Sequence, residues 1–338
     1  MANMFGVDLG TMNLKVYNRH NKSITKTKNT ISLINKKQIY AFGDEAYQMY
    51  EKAPENIEVT FPIVNGVIAD FNNMQNMILA YLETISKGRV KGSDFIVAVP
   101  TDITEVEKKA FFDLFYRSKA KPKNVLLCEK PIADAVGLGL DSTEPTGIMI
   151  VDIGSATTEI SVVSLGGMVL SELLHYGGNR LDESISSYIR RNDNLVIGQK
   201  SAKLLKEKIG SALPQEEETT YRIVGLNVVS GLPMEMEISS KIIYESIKDT
   251  LDSICSAVKR ILEKTPPELA KDVVKSGIYI TGGSSQLKDF DKLIADVTGI
   301  QVNTCENPEE CVVRGLSSII AEPGYHKLAY TMKPKSFK

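Results

Sequence analysis

The sequence contains no apolar run of the roughly 18 residues that a membrane-spanning helix needs. Its N-terminus passes at once into a strand-like segment, with no charged and apolar leader, so a cytoplasmic chain is expected. Cysteine is scarce: Cys128, Cys255, Cys305 and Cys311 are scattered, and the closest pair, Cys305 and Cys311, has none of His20, His175 and His326 beside it. Reduced thiols are therefore expected rather than zinc ligands. An excess of either charge is also lacking. With Lys+Arg 40 against Asp+Glu 42 and a net charge of −2, there is no electrostatic reason to expect a nucleic-acid partner. No tract is low in complexity, and 43% hydrophobic with 24% charged residues is the make-up of a globular protein. The 338 residues suffice for two domains, each with its own core.

What is present repeats itself. "FGVDLGTMNLKVY" from Phe5 and "MIVDIGSATTEISVV" from Met149 both read as strand, Asp, apolar residue, Gly, small polar residues, second strand. "FIVAVPTDITEVEKKAFF" from Phe95 and "GIYITGGSSQLKDFDKLI" from Gly277 both read as strand, tight turn, helix. Thr104 and Glu107 form a capping-box pattern in the first, and Leu287, Phe290 and Leu293 carry helical periodicity in the second. The order hairpin, then strand-turn-helix, thus occurs twice, which predicts an α/β fold of two similar domains around a cleft. The expected boundary lies in "LDSTEPTGI", giving domains at 1–143 and 144–338, with a small subdomain near 32–70 and an inserted one near 180–245. In the second half, "NLVIGQKSAKLLKEKIGSAL" and "SSKIIYESIKDTLDSICSAVKRILEK" read as amphipathic helices, and "YRIVGLNVVSGLPMEMEI" as a strand meander.

A D-[LI]-G-[TS] hairpin places backbone N–H groups and a hydroxyl in a concave turn that suits phosphate oxygens. An aspartate beside phosphate would repel it, so Asp8 and Asp152 imply Mg²⁺ and its waters in between. One such hairpin is an ordinary tight turn; two in matching halves point to a di- or triphosphate. The "ITGGSSQL" turn lets backbone approach a base or ribose and presents a helix N-terminus.

At these residues the sequence resembles the actin, sugar-kinase and seventy-kilodalton chaperone ATPase superfamily and, within it, the bacterial actin family MreB. The strings "GVDLGT", "NGVIADF", "VAVPTDITEVEKKA", "EPTGIMIVDIGSATTEISVVSLGG", "GGNRLDESISSYIRR", "IGSA", "GLP", "TPPELA" and "ITGGSSQL" carry the resemblance along almost the whole chain. It implies an actin-like ATPase fold, two duplicated ribonuclease-H-like domains around a nucleotide cleft, with ATP and Mg²⁺ as cofactors. Asp8, Gly10, Thr11, Met12 and Asn13 then belong to the first phosphate hairpin, and Asp152, Gly154, Ser155, Ala156 and Thr157 to the second. Gly282, Gly283, Ser284 and Ser285 belong to the adenosine site, and Lys203, Lys206 and Glu207 to the helix that flanks it. Asp8 and Asp152 are expected to hold the metal through water. The resemblance further implies paired filaments at the inner face of the cell membrane, with other MreB-like proteins and wall-synthesis membrane proteins as partners.

Several residues depart from the family pattern. Ser155-Ala156 replace two glycines, Ser284 a third, and Lys203 a glutamate near the ribose. The loop "SKGRVKGSD" lacks the apolar pair that enters lipid in some relatives, so membrane contact is expected to be weak or indirect. Most informative is Glu129-Lys130-Pro131, where the family reads Glu-Glu-Pro and uses the residue before proline to orient the attacking water. An ammonium cannot accept a proton from water while charged. Three readings stay open: a nucleotide-gated filament subunit with slow or absent hydrolysis, an active ATPase in which Glu129 serves by a shifted register, and a non-polymerising scaffold. Under the first, Lys130 leans on the terminal phosphate and Thr157 is the remaining water-positioning group.

Overall fold

The structure is a computed structural model that describes residues 3–332. In chain order the first half runs β1 (Met4–Leu9), β2 (Asn13–Asn18), β3 (Ser23–Lys28), β4 (Ile31–Ile34), β5 (Gln38–Phe42), α1 (Asp44–Met49), β6 (Ile57–Thr60), β7 (Ile63–Val64) and β8 (Val67–Ile68). It continues with α2 (Phe71–Ser86), β9 (Asp94–Val99), α3 (Glu105–Tyr116), β10 (Val125–Glu129) and α4 (Lys130–Gly137). The second half runs β11 (Ile148–Ile153), β12 (Thr158–Ser164), β13 (Gly167–Leu174), α5 (Gly178–Asp193), β14 (Leu195–Val196), α6 (Gln199–Ile209), β15 (Thr220–Asn227) and β16 (Pro233–Ser239). It ends with α7 (Ser240–Lys264), α8 (Pro267–Ser276), β17 (Ile278–Thr281), α9 (Phe290–Thr298), β18 (Val302–Asn303) and α10 (Cys311–Ala321).

Two five-stranded sheets have the same internal order, β10-β9-β1-β2-β3 and β18-β17-β11-β12-β13. In the first, β1 pairs antiparallel with β2 and parallel with β9. In the second, β11 pairs parallel with β17. The described residues fold as two compact units, one formed by 3–146, Ser161–Leu173 and 309–332, the other by Gly147–Ile160 and Leu174–Pro308. Smaller sheets, β5-β4-β6 and β14-β15-β16, accompany the large ones.

Local sequence accounts for most element ends. Thr104 and Glu107 form the full reciprocal capping box at the start of α3. Asp70 caps α2 by accepting from the Asn73 N–H, and Ser239 caps α7 by accepting from that of Ile242. Two expectations needed adjusting. The first amphipathic stretch of the second half is helical only from Gln199, because the apolar Leu195–Val196 pair with β15 as a strand and Gly198 begins the helix. Leu287 precedes α9, which starts only at Phe290 after a short 3-10 turn, Gly283–Gln286.

The core of the first unit is aromatic under the sheet. Phe5 stacks on Phe95 at 5.7 Å between ring centroids, and Phe95 lies 4.7 Å from Phe115 of α3. On the other face α10 packs against α4 and β1. This approach is close enough that a Cβ on Gly137 would collide with the Cys311 carbonyl, and one on Gly315 with that of Ala133. Both glycines are thus required by helix approach, and α4, which begins with Lys130, is fixed by it. Gly315→Ala should destabilise the chain by about 1–3 kcal/mol through overpacking. Gly324→Ala, at a position with open space around it, should stay within about 0.5 kcal/mol. Urea unfolding midpoints of the two variants check this.

Candidate functional site

The first hairpin turn is closed by Gly10 N–H donating to the Asn13 carbonyl at 3.1 Å. Asn29 braces it twice, through its side-chain amide to the Gly10 carbonyl at 2.8 Å and its backbone N–H to the Met12 carbonyl at 3.0 Å. Thr11 accepts from the Gly66 N–H at 3.3 Å, and the Asn13 side chain accepts from Lys28 Nζ at 3.0 Å. The turn is therefore held from several sides.

Asp8 ends this construction as a charged group 2% exposed. It sits opposite Lys15 in the β1/β2 register, and Lys15 Nζ lies 2.7 Å from Oδ2. Lys130 Nζ lies 3.7 Å from Oδ1. Burial alone would raise the Asp8 pKa, but the two ammonium groups outweigh it and hold the carboxyl below its usual range.

Lys130, not Glu129, is thus the residue beside Asp8. Alternation along β10 puts Leu127 and Glu129 on one face, and Glu129 Oε1 accepts from Lys108 Nζ at 3.2 Å and from the Tyr330 hydroxyl at 2.7 Å. Tyr330 is itself anchored by backbone pairing with Leu127. Pro131, at the start of α4, fixes where the chain turns helical, and Lys130 is the first residue on the buried side.

The second hairpin repeats the turn: Gly154 N–H donates to the Thr157 carbonyl at 2.8 Å. Its carbonyls are taken up by the start of α5, with Gly178 N–H on Gly154 at 3.0 Å and Asn179 N–H on Ser155 at 2.7 Å. Ala156 and Thr157 are both buried. β17 runs beside β11 with Thr281 opposite Asp152. Directly after it Gly282 has φ 82°, and a Cβ there would collide with Asp152 Oδ1. Gly283 opens the short 3-10 turn, and Ser284 Oγ donates to the Gly154 carbonyl at 2.8 Å. The Ser284 hydroxyl therefore ties the turn after β17 to the second hairpin. Ser285 Oγ closes on the Gly282 carbonyl at 2.8 Å.

On α6, Lys206 is largely buried; its Nζ lies 2.7 Å from Asp182 on α5 and donates to the Gly178 carbonyl at 2.8 Å. Burial pushes the Asp182 pKa up and the Lys206 pKa down, each opposed by the charge of the other. Lys203 and Glu207 form an outer pair at 3.8 Å on the same helix, one turn apart. Three residues that sequence pattern did not single out prove central: Lys15, Asp182 and Tyr330. A lysine between Leu14 and Val16 in a buried strand, directly across the hairpin from Asp8, was the available signal for the first. The other two depend on long-range packing that no local pattern records.

The two aspartates differ as supports for a hydrated Mg²⁺. Asp152 Oδ1 approaches residue 282 so closely that only a glycine fits there, and its carboxylate is of the type that would hold a hydrated ion through water. At Asp8, Oδ2 is taken by Lys15 at 2.7 Å, while Oδ1, with Lys130 Nζ 3.7 Å away, is a buried oxygen that accepts no hydrogen bond.

The family model for MreB/Mbl protein matches residues 2–327. The chain belongs to the MreB/Mbl family. It is 36% identical over 321 residues to the cell shape-determining protein MreB of Escherichia coli (strain K12), covering 93% of this chain and 92% of that protein. Against the cell shape-determining protein Mbl of Bacillus subtilis (strain 168) the identity is 34% over 316 residues, with 93% and 94% covered. The crystal structure of MreB5 of Spiroplasma citri bound to AMPPNP superimposes with a TM-score of 0.90 at 31% identity, covering 97% and 98% of the two chains. The actin-like α/β fold expected for an MreB relative is the one observed. Among the described residues no helix is long and apolar enough to cross a membrane.

The Lys206–Asp182 pair yields a stability test within this MreB-family chain. Removing one partner strands a buried charge, so Asp182→Ala should cost about 3–5 kcal/mol. The double change Asp182→Leu with Lys206→Met should recover most of that loss, because an apolar pair of similar volume carries no desolvation cost. A double-mutant cycle in urea checks it, and additive losses would contradict the pairing.

Proposed function

We propose that this chain is a nucleotide-gated, filament-forming subunit of a cell-shape cytoskeleton, binding ATP with Mg²⁺ and hydrolysing it slowly. Membership of the MreB/Mbl family supports the cytoskeletal role, since its relatives are cell shape-determining proteins. The AMPPNP bound to Spiroplasma citri MreB5 supports the ligand class. The proposed setting is the cytoplasmic face of the cell membrane. The proposed partners are further copies of the chain, other MreB-like proteins and wall-synthesis membrane proteins.

One observation carries the slow hydrolysis: Lys130 is buried against Asp8 while Glu129 is tied to Lys108 and Tyr330. A charged lysine donates to phosphate oxygens but cannot accept a proton from water. Loss of such an acceptor costs typically about 10²–10⁴ in rate without touching ground-state binding. Thr157 remains as the group available to position water, and Lys130 favours the triphosphate state. When bound, Mg²⁺ would neutralise part of the phosphate charge, and Asp152 is the residue that would hold its waters.

Sedimentation with ATP, ADP and AMPPNP, run beside phosphate release, tests the reading. Filaments should form with ATP and AMPPNP in the absence of lipid while phosphate release stays slow; monomers under all three nucleotides would contradict the filament role. In single-turnover assays Lys130→Glu should raise hydrolysis about tenfold or more, while Lys130→Ala should not. Robust wild-type hydrolysis that Glu129→Ala abolishes would instead show that Glu129 serves. Calorimetry should find ATP binding sharply weakened by Asp152→Ala.

A further inference from the structure

We infer that Asn29 is a positioning residue for polyphosphate at the first hairpin: its amide holds the Gly10 carbonyl, and so aims the Thr11 N–H at the anion. The inference rests on the nucleotide reading above and adds to it a residue that acts through the turn. Asn29 Nδ2 donates to the Gly10 carbonyl at 2.8 Å, and its backbone N–H donates to the Met12 carbonyl at 3.0 Å. A trans peptide points its carbonyl and its N–H in opposite directions, and no cis peptide occurs among the described residues. Drawing the Gly10 carbonyl toward Asn29 therefore turns the Thr11 N–H to the other side. Among the described residues the N–H groups of Thr11 and Met12 donate to no group of the chain, and both residues are partly exposed. Two adjacent donors are thus left for a ligand's oxygens.

Three observations single out the amide. Asn29 is 0% exposed, and a neutral donor is what such a place holds without a counter-charge. Its Oδ1 is a buried oxygen that accepts no hydrogen bond, a cost the fold tolerates while Nδ2 stays on Gly10. An aspartate of the same shape would set an acceptor against an acceptor, and a leucine would offer the Gly10 carbonyl no donor. The second half pins the matching atom by other means: the Gly154 carbonyl accepts from the Gly178 N–H at 3.0 Å and from Ser284 Oγ at 2.8 Å. Different donors on one atom of a duplicated turn point to a shared requirement, the direction of the peptide that follows the glycine. Asn29 is itself held from both sides. It lies between β3, where Lys28 pairs with Asn13, and β4, where Ile31 pairs with Thr60, and the Thr30 carbonyl accepts from the Gly43 N–H at 2.8 Å.

The test is Asn29→Leu in the full chain, which keeps the bulk and the backbone N–H and removes the amide. By calorimetry with Mg²⁺ its dissociation constant for ATP should rise at least about tenfold over the wild type. In NMR titrations of the wild type, ATP should shift the amide resonances of both Thr11 and Ser155. In Asn29→Leu the Thr11 response should be lost and the Ser155 response kept, a split that general damage to the fold would not produce. A rise below about tenfold overturns the inference, and so does loss of both responses together. Absence of ATP binding in the wild type overturns the nucleotide reading itself, and this inference with it. Should Asn29→Leu fail to fold, Asn29→Ala is measured in its place. A wild-type Thr11 amide that ATP leaves unmoved overturns the assignment without either variant.

Discussion

A carboxylate at the end of β1 can be buried only if cations come with it. Taking Asp8 out of water costs several kcal/mol, and the chain meets that cost with one lysine from the adjacent strand and one from the first turn of α4. Much of the first unit follows from holding those two ammonium groups in place. The antiparallel register that sets Lys15 opposite Asp8 also fixes the Gly10 turn. The start of α4 sets Lys130, and α4 is set by α10, through a helix approach too close for a side chain at Gly137 or Gly315. Glycines far from the hairpin thus govern the geometry of its charge.

The two halves of the chain solve one backbone problem by different chemistry. Both use the same strand order and the same Gly-to-i+3 turn bond, from Gly10 to Asn13 and from Gly154 to Thr157. The first half then surrounds its aspartate with ammonium groups. The second supports its turn with backbone N–H groups from the start of α5 and the Ser284 hydroxyl from the turn after β17. Asp152 Oδ1 lies against Gly282, where no Cβ would fit, while Asp8 has Lys15 at 2.7 Å and Lys130 at 3.7 Å. A duplicated fold has therefore diverged into one half charged by side chains and one shaped by backbone.

How much of this was legible beforehand follows the range of the forces involved. The hairpins, the capping box at Thr104 and Glu107, and the long helix α7 are written in local pattern, and the structure has them where that pattern puts them. Departures arose where neighbours decided. Leu195–Val196 became a strand because β15 offered a partner, and α9 began late because Gly283–Gln286 folded as a 3-10 turn. At the candidate site, the aspartates, glycines and Lys130 were visible as sequence because spacing carries them. Asp182 was not, since a single acid on an amphipathic helix looks like a solvated face until α6 delivers Lys206 to it. Tyr330 lies 201 residues along the chain from the glutamate it binds, and no window of sequence joins them.

That last interaction bears on why one residue's difference in register matters so much. Glu129 ends β10 and Lys130 begins α4, so the two side chains leave the backbone in different directions and cannot exchange places by rotating about their own side-chain bonds. Moving Glu129 to the Asp8 side would require breaking the hydrogen bonds from Tyr330 and Lys108, unpairing Leu127 from Tyr330, and shifting a helix start that Pro131 fixes. Each loss is about 1–3 kcal/mol where a charged group is involved, and the sum is comparable to the whole stability of a domain. The chain is thus committed at this position by its fold, not by the preference of a single side chain. Whatever anion approaches the first hairpin meets an ammonium there, and chemistry that needs a proton acceptor must find it elsewhere.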